Sequence, residues 1–133
     1  MTPYLEVIVA TLDGRRLFAE HVAIEAAYEL RVDVPVVRFF RHQRAPDGFP
    51  LEAWSDERRL AGETRPGEAA VWVLADQPRS EMAATVRHEV HHVAYHTRYG
   101  HGYFTPKEQA HMELLAEDFA LRFTQRRTRK ETR

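Results

Sequence analysis

Cysteine is absent from the 133 residues. That removes a disulfide framework, a thiolate zinc site and a cysteine nucleophile together, so any metal bound here is held by nitrogen and oxygen. An excess of one charge is missing too. The 19 Lys and Arg stand against 20 Asp and Glu, a formal net charge of -1, and that balance gives no wholesale attraction to nucleic acid or membrane. No run of about 18 apolar residues passes without a charge, so no membrane span is expected. The apolar opening from Met1 to Leu12 is interrupted by Glu6, has no basic stretch before it and lacks a small-residue cleavage pattern. It does not read as a signal peptide, and the expected compartment is the cytoplasm. Internal repeats are absent, and the one biased segment is the basic end. What remains, 44% hydrophobic and 29% charged residues, is the composition of one ordinary domain. The expected organisation is a single domain over 1–124 and a basic tail over 125–133.

Alternation of Leu5, Val7 and Val9, closed by the turn pair Asp13-Gly14, predicts a strand over 4–11. Leu17, His21, Ile24 and Tyr28 recur at helical spacing and predict an amphipathic helix over about 16–31, limited by Pro35. Val36 to His42, β-branched and aromatic, reads as a strand, Ala45 to Trp54 as a loop, and Arg58 to Glu63 as a short strand. After the Pro66-Gly67 turn, the near-continuous apolar run Ala70 to Ala75 is a further strand. A helix is then expected from Ser80 as N-cap to about residue 97, with Met82, Val86, Val90 and Val93 as its apolar stripe and Gly100 as its stop. Thr105-Pro106-Lys107-Glu108 combines an N-cap threonine, proline at the first helical position and a glutamate able to reach back to the cap. The helix it starts should end near Phe123. Strands and one helix followed by two consecutive helices make this an α+β domain.

Six of the eight histidines lie between positions 88 and 111, and the run His88-Glu89-Val90-His91-His92 is an H-E-x-x-H. On a helix, residues four apart stack on one face, so the His88 and His92 imidazoles can converge on one cation. Glu89, about 100° around the axis from His88, can lie beside the metal without ligating it and take a proton from water. That division of labour is what metal-assisted hydrolysis requires. Catalytic zinc normally keeps three protein ligands and an open fourth position. The extended pattern with a third histidine fails, because Tyr95 and Arg98 occupy its glycine and histidine places. Two third ligands stay open: Glu113 on the last helix, if that helix runs antiparallel to the first, or His101 between two glycines. Glu117, one turn beyond Glu113, would orient a ligand imidazole. Leu114, Leu115, Ala116, Phe119, Ala120 and Phe123 make the last helix look largely buried, and carboxylates on such a helix need partners. His96 continues the ladder of His88 and His92 as a supporting or surface residue. Tyr99, Tyr103 and His111 are candidates for stabilising an oxyanion.

These residues resemble the ImmA/IrrE-type metallopeptidases, gluzincin zinc peptidases with an H-E-x-x-H helix. Thr85-Val86-Arg87-His88-Glu89-Val90-His91-His92 with His96 is similar to that family's T-x-x-H-E-x-x-H and following histidine. Glu113-x-x-Ala116-x-x-Phe119-Ala120 is similar to its glutamate helix. The resemblance implies a zincin-like fold in which a small sheet precedes the two helices. It implies one Zn2+ on His88, His92 and Glu113, Glu89 as general base, and Glu117 in a supporting place where the family often has Asp. It further implies peptide-bond hydrolysis of a protein or peptide, including transcriptional repressors, and a sheet whose edge strand pairs with extended substrate.

Two other readings stand beside it. SprT-like proteases, which act on DNA-attached proteins, also use H-E-x-x-H with a later histidine, for which His101-Gly102-Tyr103-Phe104 is the nearest segment. The tail residues Arg126, Arg127, Arg129, Lys130 and Arg133 would then suit nucleic-acid contact. The third reading is a non-catalytic, metal-stabilised binding or sensor domain.

Overall fold

The structure is a computed structural model and describes residues 12–40, 61–64, 67, 69–75, 77–100 and 104–131. The strand expected over 4–11 and the loop over Ala45 to Trp54 lie outside the described residues. Along the chain run helix α1 (Leu12–Leu30), strand β1 (Val36–Phe40), strand β2 (Gly62–Thr64), strand β3 (Ala70–Leu74), helix α2 (Arg79–Tyr99) and helix α3 (Pro106–Glu131). The architecture is a small α+β fold with a mixed three-stranded sheet in the order β1-β3-β2. β1 runs parallel to β3, with Val37 opposite Val71. β2 runs antiparallel to it, with Gly62 opposite Val73 and Thr64 opposite Val71.

β3 occupies the middle of the sheet, and all five of its residues are buried, which is why its sequence is apolar on both faces. Val71 and Val73 join the main core with α1 and α2. Trp72 and Leu74 point the other way and pack with Phe40. Gly67, at the turn position before β3, has φ 88, the left-handed backbone that glycine adopts without penalty.

The first helix differs from expectation at its start and in its face. α1 begins at Leu12 and takes in the Asp13-Gly14 pair read as a turn, residue types equally at home in a helix's first turn. Its buried face is Ala19, Val22, Ala23, Ala26 and Ala27, whereas Leu17, Ile24 and Tyr28 are 66%, 52% and 88% exposed. Periodicity marked the larger side chains. Packing chose the small ones, because alanines let α1 approach Met82, Val86 and Val90 of α2 closely and fill the space densely.

α2 buries the expected stripe of Met82, Val86, Val90 and Val93. Its cap is Pro78 and not Ser80: the Pro78 carbonyl accepts the first helical hydrogen bond from the Met82 N–H at 2.8 Å. Proline's fixed φ, here -57, suits that position without a side-chain cap. Gly100 ends the helix at φ 91, its N–H bonded to the His96 carbonyl at 2.8 Å. The capping box of α3 forms as read, with Thr105 N–H donating to Glu108 Oε1 at 3.0 Å and Glu108 N–H to Thr105 Oγ1 at 3.2 Å. α3 continues to Glu131, beyond the stop expected near Phe123. Among the described residues, no helix is long and apolar enough to cross a membrane.

One side chain ties the helices together. Arg87 of α2 is 3% exposed, bonds Glu29 of α1 at 3.2 Å, donates to the Phe119 carbonyl of α3 at 3.2 Å and lies 3.9 Å from the Phe119 ring. Its guanidinium combines a planar fork with a face for stacking, and this position uses both.

Candidate metal centre

Partners on α2 and α3 descend on one helix as they rise on the other: Arg87 with Phe119, His88 with Glu117, His92 with Glu113. The helices are therefore antiparallel, and the carboxylates one turn apart on α3 face the imidazoles one turn apart on α2. His88 Nε2 lies 3.1 Å from His92 Nε2 and 3.0 Å from Glu113 Oε2. His92 Nε2 is 2.9 Å from Glu113 Oε1. His88, His92 and Glu113 each offer a ligand atom, and these atoms lie within 4.8 Å of one another. They form a triad able to hold a metal ion.

The donor set passes a test of fit. Four ligands at about 2.0–2.1 Å around a tetrahedral ion stand about 3.3 Å from each other, close to the separations among the three residues. Protonation favours the same occupant. His88 Nδ1 is 3.1 Å from Glu117 Oε2, an acceptor for the Nδ1 proton that His88 would carry with a metal on Nε2. Burial pushes the His92 imidazole below its ordinary pKa, with Glu113 opposing, and a neutral ring is the form that ligates.

Two carboxylates arrive by a route other than the one read from the sequence. Leu114 is 69% exposed and Leu115 38%, and only Met112, Ala116, Phe119 and Ala120 of the described α3 side chains are buried. The Glu113 and Glu117 side chains keep 60% and 58% of their surface. α3 is half-exposed, not largely buried, and its register places these residues without any demand from burial.

Glu89 has the opposite environment. It is 7% exposed, and Thr64 Oγ1 of β2 donates to its Oε2 at 2.5 Å. Burial raises its pKa from the ordinary 4.5 to about 8, Thr64 opposing and the charges of Glu63 and Glu113 adding to the rise. In chelator-stripped protein the folded chain therefore binds one more proton than the unfolded chain between pH 4.5 and 8. The stability due to that proton is full below this window and lost as pH rises through it. The expected result is that the parent loses on the order of 5 kcal/mol relative to Glu89→Gln across the window. Denaturant titrations of both proteins at several pH values check this, and the subtraction removes the opposite trend from His92.

The triad and Glu89 open on one cleft of about 990 Å³, walled by β2, α2 and α3. Among the described residues its lining carries Glu63, Glu81, Glu113 and Glu117 beside Glu89, and no Lys or Arg, a field that favours a cation. His96 is buried in the same lining, with Nδ1 3.3 Å from the Gly100 carbonyl, so it is not a surface residue. Tyr99 and His111 are exposed and do not line the cleft. His101 and Tyr103 lie outside the described residues. Sequence reasoning missed Thr64 and Gly62, which reach the site from β2, far from the motif along the chain.

Comparison of the chain with protein-family models, with curated proteins and with solved structures finds no match.

Proposed function

We propose that this protein is a zinc-dependent peptidase of gluzincin type, with His88, His92 and Glu113 as metal ligands, Glu89 as general base and Glu117 orienting His88. The observation that carries the reading is the meeting of the triad with a buried, hydrogen-bonded carboxyl in one cleft. A divalent ion on the triad supplies Lewis-acid polarisation of a carbonyl and makes water acidic enough to deprotonate near neutral pH. Glu89 accepts the proton of the attacking water and delivers it to the departing amine nitrogen. The triad distances support Glu113 as third ligand, and with it the ImmA/IrrE-like reading. On that resemblance the substrate is a protein, including a transcriptional repressor, and the compartment is the cytoplasm.

The test is hydrolysis of a mixed pool of unstructured peptides by zinc-loaded protein, with new termini identified by mass spectrometry. Cleavage should stop on chelation and return with one equivalent of zinc. Zinc that binds without any cleavage would support the metal-stabilised module instead.

A further inference from the structure

Residues 62 and 64 of a strand project to the same side, and residue 63 to the other. In β2 that shared side is pressed against α2. A Cβ built on Gly62 would stand 2.6 Å from Thr85 Cγ2, 3.0 Å from Glu89 Cγ and 3.1 Å from the Trp72 carbonyl oxygen. No methyl fits there without displacement, so the absence of a side chain at 62 is what lets the strand lie directly on the Thr85–Glu89 turn. Two residues on, the buried Thr64 hydroxyl sits 2.5 Å from Glu89 Oε2 and 3.2 Å from the Glu89 carbonyl oxygen. Strand and carboxylate are thus joined twice, by a backbone surface against Cγ and by a hydrogen bond at one oxygen.

We propose that Thr64, seated by Gly62, is a positioning residue that fixes the orientation of the Glu89 carboxylate for proton transfer. The inference rests on the peptidase reading for its consequence in catalysis, though the geometry stands without it. A carboxylate free to turn about its last torsion spreads its oxygens over an arc. One oxygen held by an O–H donor leaves the other in a single place. With Oε2 tethered, Oε1 is the oxygen that would meet water in the cleft Glu89 lines. Fixing a base within a fraction of an ångström is a large part of what a catalytic group requires. Thr64 itself touches no reacting atom.

Thr64→Val keeps the branched shape and removes the donor, Thr64→Ala removes the donor without added bulk, and Thr64→Ser keeps the hydroxyl. Each is compared with the parent and with Glu89→Gln in zinc-loaded form, by kcat and KM on a cleaved peptide, by bound zinc and by crystal structure. For Thr64→Val and Thr64→Ala, kcat should fall roughly 10- to 100-fold with KM and zinc unchanged, and the Glu89 carboxylate should leave its place. Thr64→Ser should retain both rate and carboxylate position. A kcat unchanged in the donorless variants, or lost equally in Thr64→Ser, overturns the proposal, since the first denies any effect and the second makes it one of packing. Should the parent cleave nothing, the peptidase reading fails, and the crystal structures still decide the other question. A Glu89 carboxylate that stays in place without the Thr64 hydroxyl removes the positioning role.

Discussion

Glu89→Gln should bind zinc as the parent does and hydrolyse peptides roughly 10² to 10⁴ times more slowly, the loss typical of removing a general base. Glutamine preserves the side chain's size and one carbonyl oxygen, which can still accept the Thr64 hydrogen bond. What it cannot do is take a proton at neutral pH. Because Glu89 is not one of the three residues whose ligand atoms converge within 4.8 Å of one another, the substitution separates binding from chemistry. Thermal melting and bound metal should match the parent or exceed it at pH values where the buried carboxyl ionises. A Glu89→Gln protein that holds zinc and cleaves at the parental rate would remove this residue from the mechanism.

The second large effect is expected at the triad. His92→Ala and Glu113→Ala each delete one of the three triad residues, and zinc affinity should fall by roughly 10³-fold or more, since two donors no longer make a three-ligand site. Glu117→Ala leaves the triad whole and removes only the carboxylate 3.1 Å from His88 Nδ1, so its loss should lie roughly in the 10- to 100-fold range. The grading distinguishes a coordinating residue from a supporting one on the same helix face. Competition titration against a zinc chelator of known affinity measures all of them. A Glu117→Ala loss as large as that of Glu113→Ala would exchange or merge their roles.

What was readable in the sequence and what was not follow from how local each interaction is. His88 and His92 are four residues apart on one helix, and Thr105 and Glu108 three apart at the start of another. Such pairs are governed by helical geometry and need nothing from the rest of the fold. The placement of Glu113 against them required only that two consecutive helices run antiparallel, yet the supporting argument that a buried helix would demand a partner for its carboxylates does not hold, because the Glu113 side chain is 60% exposed. The face of α1 was misassigned for a different reason. Large apolar residues carry the visible periodicity, while the contact with α2 is made by alanines, whose weak hydrophobic signal hides how well they allow close approach. Thr64 and Gly62 had no local signature at all: a threonine and a glycine in a three-residue strand gain meaning only through the antiparallel pairing with β3 and the nearness of Glu89.

The central claim is that His88, His92 and Glu113 form one metal site, and bound metal measured on the purified parent and on Glu113→Ala tests it most directly. Elemental analysis of the zinc-dialysed parent should give one zinc per chain, with X-ray absorption showing a shell of nitrogen and oxygen at about 2.0–2.1 Å and no sulfur, and Glu113→Ala dialysed alongside should be depleted. A folded parent that retains no zinc, or a Glu113→Ala protein that retains a full equivalent, would contradict it.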